Sequence, residues 1–415
     1  MKTSKNSRIK KIKAREILDS KGNPTVEVDL FTDLGLFRAS VPSGISTGKT
    51  EAVELRDNEE RYRGKGVLTA VRNVDEIIAP KFIGENVVDQ ERIDRTLIEL
   101  DGTKNKSRLG ANSILAVSLA VCRAAAEEMR LPLYRYLSHL AGTKPLLPRP
   151  CLLVIEGGRH ASNKLDFQEF IILPEADSFK ERLQRGTEIY HCLGSILEKT
   201  GDEAAANVGY EGGFTPALEK TEEALKLIVE AINQAGYERQ VKIIIDAAAS
   251  TFFKSGKYHF EGKKLNKEAL LSFYAGMVKN YPLFAIEDPF SEDDFEGFTM
   301  MTEKLGKKIF IIGDDLLTTN IERIRKAERL SACNGLILKP NQVGTVTETL
   351  EAASEARKNH WQVFVKHRGG ETNDDFIADL ATGLGTGWIM AGAPARGERV
   401  AKYNRLLRIE EELNA

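Results

Sequence analysis

Five short apolar runs in the second half of the chain each close on a charged side chain. Ile243–Ala247 reads IIIDA, Phe284–Pro289 FAIEDP, Phe310–Asp315 FIIGDD, Leu336–Pro340 LILKP and Val363–Arg368 VFVKHR. A continuous apolar run reads as a strand buried on both faces, the condition that a parallel sheet imposes. Asp246, Glu287, Asp314, Lys339 and His367 are separated by 41, 27, 25 and 28 positions, each roughly one strand-plus-helix unit. Polar groups at successive strand C-termini of a β/α barrel point into one mouth, where such barrels do chemistry. Three carboxylates converging there suit a hard divalent cation, and a lysine and a histidine beside them suit proton transfer. The pattern predicts a metal-assisted enzyme.

A chain of 415 residues has room for two domains and a large core. A formal charge of -2 gives no reason to expect nucleic acid or an acidic membrane surface as partner. No apolar stretch approaches the ~18 residues of a membrane span. Cys122, Cys151, Cys192 and Cys333 are scattered without a CxxC, which fits a reducing cytosol and neither a zinc site nor a disulfide framework. Lys2 to Arg15 is basic and free of acids. It lacks an apolar leader and runs into a strand-like segment at Ile12–Ile17, so a short solvated tail and a cytoplasmic location are the readings taken.

The architecture changes near residue 140. Lys11–Leu18, Thr25–Thr32 and Leu36–Val41 read as a meander, and VPSGISTGKT between Val41 and Thr50 reads as a loop. Helical periodicity follows over Gly66–Ile78, Asp89–Leu100 and Ala111–Met129. Leu140–Pro150 carries three prolines and a glycine and serves as a linker. Beyond it, apolar runs alternate with helical windows at Lys180–Thr200, Lys220–Gly236 and Asn320–Leu330, which argues for an α/β domain with a parallel sheet. The GLGTG of Gly383–Gly387 lacks the spacing and lysine of a phosphate loop and reads as a turn.

The residues also carry a resemblance over nearly the whole chain. LDSKGNPTVEVDL, VPSGISTG, LDGTKNKSRLGANSILAVSLA, FQEF, NVGYEGGF, IEDPFSEDD, GDDLLTTN, LKPNQVGT, KHRGGET, FIADLATGLGTG, GAPARGER and LLRIEEEL occur in that order. Together they resemble the enolase family. The resemblance implies an N-terminal α+β capping domain over residues 1–140. It also implies a C-terminal enolase-type, TIM-like β/α barrel over 141–415, whose first connection departs from simple β/α repetition. It further implies reversible dehydration of 2-phosphoglycerate to phosphoenolpyruvate, two Mg2+ ions (one tight, one bound with substrate) and a homodimer or larger homo-oligomer.

Carried over position by position, the resemblance makes Asp246, Glu287 and Asp314 the ligands of the tighter magnesium. Lys339 matches the general base, a role for a lysine whose pKa is lowered by nearby cations. Glu211 matches the acid that protonates the departing hydroxyl, with Glu169 beside it; two close carboxylates raise one another's pKa and keep an acid protonated. His160 and His367 match active-site histidines, Gln168 a positioning residue, and Arg368 a phosphate-binding arginine. Ser46 matches the loop serine that closes over substrate and helps hold the second magnesium.

Several positions depart from the family pattern. Met390 stands where a lysine pairs with the substrate carboxylate, and Gly369 where a serine follows the arginine. Tyr210 replaces an aspartate, Glu156 an asparagine and Thr50 a histidine; Glu156 adds negative charge near a site built for an anion. These departures leave open an enolase-like paralogue acting on another hydroxy-carboxylate, or a weak catalyst with a binding role. Lys366 replaces a serine before His367. Its ammonium is a candidate for the charge missing at 390, although strand alternation would turn it away from the barrel axis if His367 faces in.

Overall fold

The computed structural model describes residues 7–44, 48–199 and 205–414. Its N-terminal part opens on an antiparallel meander of β1 (Lys11–Leu18), β2 (Pro24–Thr32) and β3 (Gly35–Ser40). Val26, Val28 and Leu30 on β2 are fully buried, as a period-two pattern demands. The other face of β2 is covered by charge: Arg38 Nε donates to Asp29 Oδ1 at 2.7 Å and Arg15 Nη1 to Glu27 Oε1 at 2.6 Å.

Helices then accumulate against this sheet. The window expected at Gly66–Ile78 begins at Leu68 and widens into a π-helical turn over Asn73–Ile78. The widening coincides with Pro80, which cannot donate to the turn before it. Gln90–Asp101 starts under an Asp89 cap, and Ala111–Glu128 is buried on nearly every side, which explains its apolar composition. The linker contracts to residues 142–148, because Leu133–Ala141 is helical and Pro150 is already the second residue of a strand.

The rest of the chain forms a closed eight-stranded barrel. Its strands are β4 (Arg149–Glu156), β5 (Glu169–Pro174), β6 (Val241–Asp246), β10 (Leu283–Glu287), β11 (Phe310–Gly313), β12 (Gly335–Leu338), β13 (Gln362–Lys366) and β14 (Gly387–Met390). A small antiparallel sheet of β7 (Phe253–Lys254), β8 (Lys257–Phe260) and β9 (Lys263–Leu265) is inserted after β6. Every barrel pair is parallel except those made by β5, which runs antiparallel to both β4 and β6. Two helices, Phe179–Glu198 and Thr221–Gln234, follow β5 in succession before β6 begins. The reversal has a functional consequence: Glu169, the first residue of β5, sits beside Glu156 and Asp246, the last residues of its neighbours. GLGTG is a helix-to-strand turn in which Gly385 caps Phe376–Leu384 with φ +61° and Gly387 opens β14. Among the described residues no helix is long and apolar enough to cross a membrane.

Candidate active site

Strand register sets the floor of the site. Glu287 pairs with Asp246 across β10 and β6, and Lys366 with Met390 across β13 and β14. Asp314 follows β11 and Lys339 follows β12, each one residue past its strand. A cavity of about 120 Å³ opens on this floor, lined in part by Gln168, Asp246, Asp288, Asp314 and Asp315.

The three predicted acids are divided between two ammonium groups. Lys366 Nζ lies 2.8 Å from Glu287 Oε1, 3.1 Å from Asp246 Oδ2 and 3.1 Å from Glu169 Oε2. Lys339 is paired with Asp314, whose other oxygen accepts from Gln342 Nε2 at 2.9 Å. Gln168 Nε2 donates to Asp246 Oδ2 at 3.3 Å, so Gln168 positions a floor acid. The expectation from strand alternation fails at Lys366. β13 ends on that residue, His367 already belongs to the following loop, and both side chains are buried in the mouth.

The residues expected to transfer protons gather around Glu211. His160 Nδ1 stands 3.7 Å from Glu211 Oε1 and 3.8 Å from Glu169 Oε1, and the ligand atoms of these three groups lie within 4.8 Å of one another. His367 Nε2 is 3.2 Å from Glu211 Oε2. Arg399, fully buried, donates to His367 Nδ1 and to the carbonyls of Arg368 and Gly369. An arginine can only donate, so Nδ1 is the acceptor and a neutral His367 carries its proton on Nε2, facing Glu211. Burial pushes His367 down to about 4, which keeps the ring neutral near pH 7.

Protonation in the carboxylate pair and at the lysine follows from burial and neighbouring charge. Burial pushes Glu169 up to about 8, with Glu211 adding to it and Lys366 opposing it. At Glu211 burial acts upward, while His367 and His160 act downward only when they carry charge. Lys339 was expected to be lowered; burial does act that way, yet the neighbouring carboxylates, Asp314 first and Glu287 with it, leave it raised.

Other departures prove milder than their sequence implied. Glu156 does not add charge: burial pushes it up to about 9, and its Oε1 accepts the backbone N–H groups of Glu211 at 3.0 Å and Gly213 at 2.8 Å. Tyr210 is 44% exposed and lies against Lys21, outside the pocket. Thr50 Oγ1 is 2.7 Å from Thr318 Oγ1. Arg368, the expected phosphate ligand, is gripped by Glu51, with Nη1 at 2.9 Å from Oε2. Ser46 lies outside the described residues. Sequence reasoning missed Arg399, Asp288 and Asp315 as individual residues. The two acids were visible as second carboxylates in IEDP and GDD, and Arg399 as the last arginine of GAPARGER.

The donors fit a hard divalent cation. Glu287 is wholly buried and its Oε2 has no hydrogen-bond partner, the condition of a carboxylate oxygen that serves as a metal ligand. Asp288, Asp314 and Asp315 bring ligand oxygens within 4.8 Å of one another, so the floor is oxygen-rich beyond the predicted trio. Asp288 in turn accepts the backbone N–H groups of Asp314 at 2.9 Å and Asp315 at 2.7 Å, which orients that turn.

Comparison with known proteins agrees with this geometry. The family model for the enolase N-terminal domain matches residues 9–137, and that for the enolase C-terminal TIM barrel domain matches residues 144–415. A protein named enolase from Methanocaldococcus jannaschii is 54% identical, over 98% of this chain and 95% of its own. One of the same name from Mastigamoeba balamuthi is 53% identical, over 99% of this chain and 97% of its own. Another, from Methanopyrus kandleri, is 53% identical, over 98% of this chain and 96% of its own.

Proposed function

This chain belongs to the enolase family, and we propose on that footing how its own residues carry out the family's reaction. The protein is a hydro-lyase that dehydrates 2-phosphoglycerate to phosphoenolpyruvate, reversibly, as in glycolysis and gluconeogenesis. The observation that supports it most directly is the strand order: Lys339 after β12 and Glu169 on β5 lie four strands apart round the closed eight-stranded barrel, with Asp314, Glu287 and Asp246 on the ends of β11, β10 and β6 between them.

The reaction removes a proton from the carbon beside a carboxylate and a hydroxide from the next carbon, and together these leave as water. Lys339 takes the carbon-bound proton. It can do so only when Asp314 is engaged elsewhere, since that ion pair keeps its ammonium charged; Arg368 and Lys366 press its pKa downward. Asp246, Glu287 and Asp314 would hold the tighter magnesium, with Ser46 toward a second one. Bound there, the ions supply positive charge for the carboxylate as it gains electron density. Glu169 holds the proton destined for the departing hydroxyl, Glu211 hands it on, and His367, neutral with its Nε2 3.2 Å from Glu211, stands beside that carboxylate. His160 stands beside both carboxylates, and Arg368 is the guanidinium available to a phosphate once Glu51 releases it. We take the chain to work in the cytoplasm as a homodimer or larger homo-oligomer, on family grounds.

Met390 and Gly369 first suggested another hydroxy-carboxylate. Identity of 53–54% across nearly full length to chains named enolase argues against that reading. The test is steady-state turnover of 2-phosphoglycerate with and without magnesium. Metal-dependent formation of the enol phosphate is expected. Metal binding without turnover would reject the proposal.

A further inference from the structure

Lys366 is a lysine that the floor of the site is built around. It is 3% exposed, and its ammonium has three donors facing three carboxylates, those of Glu169, Asp246 and Glu287, at 3.1, 3.1 and 2.8 Å. Two of these acids are the expected metal ligands. Directly across the β13–β14 register stands Met390, buried and uncharged at the position where the family pattern has a lysine. The charge absent from one strand end is thus present on the adjacent one. Its four-carbon stem is flexible, and an ammonium is a compact point charge that can exchange one set of oxygens for another.

We propose that Lys366 is the substrate-carboxylate cation of this site, relocated from the neighbouring strand, and that it occupies Asp246 and Glu287 until a divalent cation takes those oxygens. The proposal rests on the dehydratase reading above. Before metal binds, Lys366 neutralises acids that would otherwise repel one another inside the barrel. With Asp246 and Glu287 held by a cation, the ammonium would be free to supply the counter-charge that a lysine at the position of Met390 gives the substrate carboxylate in the family pattern. Metal binding and substrate recognition are therefore coupled through one side chain. The coupling has a cost: metal binding in the absence of substrate is weaker than the acid floor alone would give.

The test titrates magnesium calorimetrically into wild type, Lys366→Met, and the exchange variant Lys366→Ser/Met390→Lys, each without substrate, and then measures KM and kcat for 2-phosphoglycerate. Expected is magnesium binding at least ~10-fold tighter in Lys366→Met, because a competing charge is gone. KM should rise ~10²-fold in that variant and recover to within a few-fold of wild type in the exchange variant. Unchanged magnesium affinity in Lys366→Met, or an unchanged KM, overturns the proposal. If Lys366→Met does not fold without metal, the exchange variant, which keeps the charge, decides alone: failure to approach the wild-type KM rejects the relocation. Absence of turnover in wild type would reject the dehydratase reading, while the magnesium titration would still report on Lys366.

Discussion

Glu156 accepts the backbone N–H of Glu211 at 3.0 Å, through the same oxygen that takes the N–H of Gly213 at 2.8 Å. One buried carboxyl thus holds the loop that carries a proposed proton-transfer residue. Burial pushes Glu156 up to about 9, so in the folded protein it accepts as a neutral acid near pH 7.

A neutral acceptor of the same shape should serve equally well. Glu156→Gln is expected to keep kcat within a few-fold of wild type. Glu156→Leu leaves two buried N–H groups without an acceptor and should cost about 2–4 kcal/mol, read by chemical denaturation. The pH dependence gives a sharper check. The unfolded carboxyl ionises near pH ~4.3 and the folded one only near 9, so wild type loses stability as pH rises between these values and no further above them. Glu156→Gln has no such loss. Its melting temperature relative to wild type should climb from pH 5 to about pH 9 and then level off; a constant difference would contradict a protonated Glu156.

Asp29 shows the opposite sign on the N-terminal sheet. The hydrogen bond from Arg38, joined by Arg15, holds its carboxyl down to about 2. A depressed carboxylate stabilises above its unfolded pKa of ~3.9, and that contribution disappears as pH falls toward 2. Arg38 is half exposed, so solvent screens the pair and Asp29→Asn should cost only about 1 kcal/mol at pH 7. Thermal melts should show the two proteins converging by pH 2. A gap that persists there would assign the loss to packing instead.

Much of this was legible because apolar runs and their spacing are local signals. Asp246, Glu287, Asp314 and Lys339 all lie at the barrel mouth that their runs predict, since a strand buried on both faces admits few other readings. Lys366 was not legible: its direction depends on whether β13 ends before or after it, and one residue of strand length reverses that. The upward shift of Glu169 was hidden for a different reason. It comes from burial, with Lys366 opposing and Glu211 adding, which no sequence interval encodes. Glu156 looked like an intruding charge because burial, which neutralises it, is a property of the folded barrel.

Arg399 is the residue whose role emerged only from packing. Its contacts fix the tautomer of His367 and the carbonyls of Arg368 and Gly369 together. Lysine cannot span those three acceptors. Arg399→Lys is expected to lower kcat ~10²-fold through misplacement of His367, with a smaller change in KM. Nitrogen NMR of His367 should show its proton on Nε2 in wild type and a mixture of tautomers in the variant. An unchanged tautomer beside a lowered kcat would move Arg399's contribution away from His367.

The central claim is that Lys339 moves the carbon-bound proton while the Glu169–Glu211 pair serves the leaving hydroxyl. Exchange of the C2 hydrogen of 2-phosphoglycerate with deuterated solvent separates the two steps. With magnesium present, Lys339→Ala should lose both exchange and dehydration, by ~10²-fold or more. Glu211→Gln should lose dehydration to a similar degree while retaining C2 exchange. Exchange that survives in Lys339→Ala, or disappears in Glu211→Gln with substrate binding intact, would contradict the account.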